Sequence, residues 1–465
     1  MIASRVTRRT FMQTALGAAV LPWLRPVAAT SAAPGQFDPA FGTATAALAA
    51  LEARVTSSLE LTRTVFARIR QHNSKINAFV TLLEESALSQ ARASDRRRAS
   101  GQALGVLDGL PVMVSASYEM AGIRVNDSVP TMDATAVARL KRAGAVIIGK
   151  TKTAREGEVE TFNAIAGTTN NPWDVTRTAG GPSGGGAVAL ASGFGFLAIG
   201  SDIGGSLRVP SHFCGIYGHK STLDVVPRNG LITGSPRPLA ATEVLEVAGP
   251  LARSAPDLLL ALGVLAGPTD DGAVDSRWQL PPSRANNLRR FRIGFVHEDA
   301  YCPLDADVAA VVADALDRMR AVGVPMKEGW PAGFDPQAAY DTYPSLHDSG
   351  PSPERNEQRL RAQAVWRDYF KELDAFVSPV CFTAAFPRDQ NPAAVSRRSP
   401  DLFKWTAPAT LLGCPATVIP IGRTPSGLPV GLQIMGPHLE DATPLTIAMC
   451  MEQLTGGFMA PPSFA

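Results

Sequence analysis

Apolar positions in residues 43–98 recur three and four apart, most clearly in LEARVTSSLELTRTVFARIR, and this spacing predicts amphipathic helices. Beyond them come short, wholly apolar runs bounded by turn residues. Gly109-Leu110-Pro111 leads into Val112-Met113-Val114, and Ala145-Val146-Ile147-Ile148 closes on Gly149. Each reads as a strand buried on both faces. A helix is expected over residues 133–143, with Asp133 as its N-cap. Residues 185–192 read as a helix, 196–199 as a strand, 256–265 as a helix with Pro256 in its first turn, and 291–296 as a strand. Residues 305–322 form a clear amphipathic helix, with Asp305 near its start and Gly323 past its end. Residues 328–356 read as a long irregular connection, 357–372 as a helix and 375–379 as a strand end. Residues 416–421 and 430–435 make a hairpin-like pair around Thr424-Pro425-Ser426-Gly427, and 443–454 close the chain as a helix. Helices alternating with short apolar strands predict an α/β fold: a single large domain whose central mixed β-sheet is covered by helices on both faces.

Composition narrows the function classes. The chain has 465 residues, and its 44 Lys and Arg nearly balance 42 Asp and Glu, for a net charge of +2. No basic stripe points to nucleic acid and no acidic tail to a charged partner. The 41 glycines and 37 prolines fit many turns rather than a helical bundle. None of the five cysteines (Cys214, Cys302, Cys381, Cys414, Cys450) forms a CxxC or a Cys/His pair at metal spacing, and an odd count leaves at least one thiol free.

The N-terminus reads as a targeting segment. Thr7-Arg8-Arg9-Thr10-Phe11-Met12 is a twin-arginine core, followed by a mild apolar run over residues 15–24 and the small-residue stretch Val27-Ala28-Ala29-Thr30-Ser31-Ala32-Ala33. That is the order of an export signal. Pro22 and Pro26 interrupt a run already short of the ~20 residues a membrane span needs. Residues 1–33 are therefore expected to be a twin-arginine export signal and 37–465 the folded domain. The mature protein would work in the periplasm or be secreted, with no stable membrane span once the signal is removed.

The candidate chemistry lies in GGPSGGGAVALASGFGFLAIGSDIGGSLRVPSHFCGIYGHKST, residues 180–222. Ser206 follows Gly204-Gly205 at the end of a strand-like apolar run. Glycines there let the chain turn sharply and leave backbone N–H groups uncovered, as an oxyanion hole requires. The N–H groups of Ile203, Gly204, Gly205 and Ser206 are the candidates. Gly180-Gly181 and residues 183–186 could suggest a phosphate loop, but no Gly-Lys-Ser/Thr closes them. No metal or organic cofactor is implied.

Residues 109–265 resemble the amidase signature family of serine amide hydrolases. The matching runs are Gly109-Leu110-Pro111-Val112, Asn171-Pro172-Trp173, Gly180-Gly181, Ser183-Gly184-Gly185, Gly200-Ser201-Asp202-Ile203-Gly204-Gly205-Ser206-Leu207-Arg208, and Phe213-Cys214-Gly215 with Gly218-His219-Lys220. Gly413-Cys414-Pro415-Ala416 and Gly427-Leu428-Pro429-Val430-Gly431-Leu432-Gln433 extend it to the C-terminal part. The resemblance implies the family's Ser–cis-Ser–Lys mechanism, with Ser206 as nucleophile. It places the bridging serine 24 residues earlier, where this chain has Pro182, and the lysine after the Gly-Leu-Pro-Val strand, where it has Ser115. Two of three catalytic groups are thus replaced. A bond before proline adopts cis at ~0.5–1 kcal/mol, so Gly181–Pro182 is expected to keep the family's cis backbone without its hydroxyl.

Substitutes for the lost base are few. Ser183 adjoins the bridging position but should point elsewhere. Lys150 matches a lysine the family uses structurally, and Lys152 lies two residues on. His219 reads as a packed, hydrogen-bonded histidine, and Glu156, Glu158 and Glu160 as a solvated acidic face. Asp202 and Arg208 are expected to pin the loop rather than react. The resemblance implies a small-molecule amide or peptide-like ligand; a homodimer is left open.

Overall fold

A computed structural model describes residues 37–124, 129–153, 161–163, 167–232, 245–269, 279–348, 352–388 and 401–465. The export-signal segment and Glu156, Glu158 and Glu160 lie outside these residues. The chain runs through α1 (Ala44–Glu52), α2 (Ser58–Ile76), β1 (Phe79–Leu82), α3 (Glu84–Ala99), β2 (Pro111–Ser115), α4 (Thr135–Arg142), β3 (Val146–Thr151) and a small pair, β4 (Phe162–Asn163) and β5 (Gly167–Thr168). Then come α5 (Gly184–Ala191), β6 (Leu197–Asp202), α6 (Arg208–Cys214), β7 (Tyr217–Lys220), β8 (Val247–Ala252) and α7 (Ala255–Leu265). The last part holds β9 (Ile293–Phe295), α8 (Ala306–Ala321), β10 (Met326–Glu328), α9 (Pro336–Asp348), α10 (Pro353–Glu372), β11 (Ala375–Pro379), α11 (Ala407–Leu412), β12 (Ala416–Arg423), β13 (Pro429–Met435) and α12 (Ala442–Thr455).

Eleven strands form one mixed sheet in the order β1-β3-β2-β6-β8-β7-β12-β13-β11-β9-β10. Strands β2, β6, β8 and β13 are buried along their whole length, and for β2 the continuous apolar run predicts this. Helices α5 and α6 lie on one face; α7 and α12 cover the other. The expected single α/β domain with helices on both faces is what the chain forms. Among the described residues no helix is long and apolar enough to cross a membrane.

Three sequence expectations give way here. The helical reading of residues 43–98 is interrupted by β1 (Phe79–Leu82), which pairs antiparallel with β3 at one edge of the sheet. Residues 328–356 are not one irregular connection, because they contain α9 and the start of α10. Asp335 accepts the N–H groups of Gln337 and Ala338 (2.9 and 3.2 Å) and Pro336 opens the helix, so an Asp-Pro start signal sits within the Pro- and Gly-rich stretch. Asp133 does not cap α4, which begins after Ala134. Its carboxylate instead takes the Ala121 N–H (3.0 Å) and the Lys141 ammonium (2.8 Å).

The sheet has a trough at its centre. Gly200 of β6 faces Gly249 of β8. A Cβ on Gly200 would stand 2.7 Å from Ser183 Oγ and 2.9 Å from Leu207 Cδ2, and one on Gly249 would stand 2.7 Å from Leu207 Cδ1. Only two residues without side chains admit Leu207 and the start of α5 so close to the strands. This seats the segment carrying Ser206 at the C-terminal end of β6.

Candidate active site

The strand β6 ends at Asp202, and Ile203-Gly204-Gly205-Ser206-Leu207 carries the chain into α6. Gly205 has φ +139°, and a Cβ there would meet Thr406 Oγ1 at 2.8 Å, so the loop's sharp turn depends on glycine. Ser206 is 6% exposed. Among the described residues its hydroxyl takes no hydrogen-bond partner, and the N–H groups of Ile203, Gly204, Gly205 and Ser206 donate to no protein acceptor. Buried backbone donors are nearly always paired, so four consecutive uncommitted ones beside a free hydroxyl form a built receptor for negative charge.

Asp202 and Arg208 hold this loop from both ends. Arg208 donates from Nε and Nη2 to the Asp202 carboxylate (3.0 and 2.8 Å), and to Thr406 O (2.7 Å), Gln433 Oε1 (2.8 Å) and Thr410 Oγ1 (2.8 Å). All five guanidinium N–H groups are thereby used. Asp202 also accepts the Leu207 N–H at 3.1 Å. Burial alone would raise its carboxyl pKa, but the Arg208 charge and hydrogen bonds, the Lys220 charge and the Leu207 N–H leave it below the ordinary value. Both side chains thus serve the loop's shape.

At the two positions where the resemblance expects a lysine and a bridging serine stand Ser115 and Pro182. Ser115 ends β2, 2% exposed, with its hydroxyl 2.8 Å from Ser117 Oγ and accepting the Ser117 N–H at 3.3 Å. Pro182 follows a trans bond, since the described backbone contains no cis peptide. The expected cis Gly181–Pro182 bond is therefore corrected. Gly180 and Gly181, at φ +98° and +111°, turn the chain without it. Ser183 commits its hydroxyl to the β6 backbone, donating to Ser201 O (3.0 Å) and accepting the Ser201 N–H (3.4 Å).

The remaining titratable candidates are engaged elsewhere. Lys150 donates to Tyr118 O (2.7 Å) and Lys152 to Gly167 O (3.2 Å); burial lowers both to about 8. Lys150 pairs with Val114, one residue out of step with Ser115, so it leaves β3 on the opposite face of the sheet from Ser115. His219 lies between Thr417 Oγ1 (2.9 Å) and Asp441 Oδ1 (3.2 Å), buried on the α12 side. Lys220, on the other face, is 1% exposed and donates to Ser221 O at 3.0 Å. Among the described residues no three His, Cys, Asp or Glu side chains gather as a metal site.

Three residues of the site were not singled out in the sequence: Thr406, Thr410 and Gln433. Gln433 alone left a trace, as the one long polar side chain inside the apolar strand PVGLQIM. A cavity of about 600 Å³ opens among Phe382, Phe386, Leu428 and the start of α8. It contains none of these residues, lying where β11 and β12, antiparallel to β6, reach their C-terminal ends.

Comparison with known proteins agrees with this architecture. The model of the Amidase family matches residues 60–346 and 344–445. A glutamyl-tRNA(Gln) amidotransferase subunit from Chloroflexus aggregans is 31% identical, the alignment covering 91% of this chain and 98% of the relative. Among solved structures, one from a vestigial protein complex bearing on the evolutionary origins of an s-triazine catabolic enzyme superposes with a TM-score of 0.77 at 26% identity, over 90% of this chain and 99% of that one. Fatty acid amide hydrolase superposes at 0.78 and 19% identity, over 90% and 86%, a likeness of fold. With the family's model spanning most of its length and its long glycine–serine signature built into a loop of uncommitted donors, the chain belongs to the amidase signature family.

Proposed function

We propose that this chain is an exported serine acyl hydrolase scaffold that binds amide- or peptide-like small molecules at Ser206 and cleaves unactivated amides weakly or not at all. The observation that carries the reading is the pairing of a free Ser206 hydroxyl and four uncommitted N–H donors with Ser115 and Pro182 at the positions of the proton-handling groups. An oxyanion receptor stabilises the charge that develops when a serine attacks a carbonyl. A general base contributes ~10²–10⁴ in rate, and amide cleavage needs it twice: to take the serine proton and to deliver a proton to the leaving amine. Esters and other acyl donors with good leaving groups need the second step least, so they are the substrates this arrangement serves best. The kinship with an amidotransferase supports acyl-group chemistry on the same scaffold.

The test is labelling of the intact protein with a fluorophosphonate, with Ser206→Ala as control. Labelling of the wild type that disappears in Ser206→Ala supports a nucleophilic Ser206. An unlabelled wild type removes the catalytic part of the proposal. The second reading, binding without turnover, rests on the same missing base. It requires that amides or peptides raise the melting temperature of wild type and Ser206→Ala alike. Export by the twin-arginine route is tested separately: replacing Arg8 and Arg9 by lysine should strand the protein in the cytoplasm.

A further inference from the structure

We infer that Thr406 is a positioning residue that sets the oxyanion hole by fixing which way the Gly204–Gly205 peptide faces. The inference rests on the reading of Ser206 as the nucleophile. Thr406 lies 200 residues beyond Ser206 in sequence, at the N-cap position of α11, yet its side chain makes no capping hydrogen bond. A threonine at that position ordinarily accepts an N–H from the first turn of its own helix. Here the hydroxyl donates to Gly204 O, with Phe403 O also within 3.0 Å. Thr406 is itself held in place, since Arg208 Nη1 donates to its carbonyl at 2.7 Å and its own N–H donates to Phe403 O at 3.2 Å.

In a trans peptide the carbonyl and the following N–H point in opposite directions. With Gly204 O turned into Thr406, the Gly205 N–H points away from α11, where it meets no protein acceptor among the described residues. Both residues flanking this peptide are glycine, so little in the backbone resists its rotation. A rotated peptide would place the Gly204 carbonyl, a negative dipole end, on the side where charge develops during attack. Attraction would become repulsion. The Thr406 hydroxyl is what selects between the two orientations. It does so through Gly204, without touching the reacting atoms.

Thr406→Val removes the hydroxyl at nearly constant shape, and Thr406→Ser keeps the hydroxyl while removing the methyl. In Thr406→Val the limiting rate of Ser206 phosphonylation by a fluorophosphonate should fall ~10²-fold or more, with the half-saturating probe concentration unchanged. Thr406→Ser should stay within about threefold of wild type. A Thr406→Val variant reacting at the wild-type rate overturns the inference. So does Thr406→Ser falling as far as Thr406→Val, because the effect would then belong to packing. If the wild type is not labelled at all, the reading of Ser206 fails, and a crystal structure of Thr406→Val decides the role of Thr406 by itself. A rotated 204–205 peptide supports that role, and an unmoved one overturns it.

Discussion

Asp202 and Arg208 stand on either side of Ser206 in sequence and meet as a two-point ion pair with both side chains wholly buried. A guanidinium alone offers the fork that reaches Asp202, Thr406, Thr410 and Gln433 at once. Arg208→Met should therefore cost ~3–5 kcal/mol of folding stability, because it leaves the Asp202 carboxylate buried without its partner. Arg208→Lys should recover little of that. Urea denaturation of the three proteins is the measurement, and a loss below ~1 kcal/mol for Arg208→Met would contradict the role given to the pair.

On the proposed reading of Ser115 and Pro182, supplying a lysine and a serine there should raise amide turnover. Ser115→Lys or Pro182→Ser alone is expected to leave turnover near background, since a base without a relay, or a relay without a base, moves no proton. The double variant should hydrolyse an activated anilide ~10²–10⁴ faster than wild type. Equal rates in all four proteins would contradict the roles assigned to these two positions.

Lys220 is expected to make folding stability rise with alkaline pH. Burial, and next the Arg208 charge, lower its pKa from the ordinary 10.5 to about 8. Below about 8 the folded and unfolded states both carry the proton, and the cost of burying the charge is fully present. Between about 8 and 10.5 only the unfolded chain remains protonated, so stability rises with pH, by up to ~3 kcal/mol from this group. Lys150 and Lys152 act in the same direction. Lys220→Met should raise the melting temperature at pH 7 and flatten the rise between pH 8 and 10. A lower melting temperature in Lys220→Met would assign the lysine a supporting role instead.

The thiols should be silent in the native protein. All five cysteines are free and four are buried. Burial pushes Cys302 and Cys414 up to about 12, and raises Cys214 and Cys381 further. Titration with a thiol reagent at pH 8 is expected to find at most one reactive group, Cys450, before denaturation and all five after it. Rapid reaction of several thiols in the folded state would mean that the cores around them open readily.

Strands β2 and β3 were legible in the sequence because burial on both faces left the unbroken apolar runs Val112-Met113-Val114 and Ala145-Val146-Ile147-Ile148, whereas β8, equally buried, was not, because Gly249-Pro250 at its centre also signal a turn. Helix α9 was not, because its Asp335-Pro336 start is set among prolines and glycines that also signal loops. Ser206 and its glycines were legible because a sharp turn and bare N–H groups restrict local residue choice. Thr406 and Thr410 were not, since they meet Arg208 only across about 200 residues and nothing local marks them, while Gln433 showed only as a polar residue in an apolar strand. The cis bond expected at Pro182 rested on what proline permits. The backbone makes the turn at Gly180 and Gly181 instead.

The central trough has a consequence for how the site comes into being on the ribosome. Leu207 rests against both Gly200 and Gly249, and Arg208 is locked by acceptors as far along as Gln433. When Ser206 emerges, half of its seat and nearly all of its clamp have yet to be synthesised. Contacts of such long sequence separation close late. The nascent chain thus carries Ser206 on an unformed turn, and the loop takes its shape only as the last strands complete the sheet. A serine probe that labels Ser206 would for that reason also count fully folded molecules.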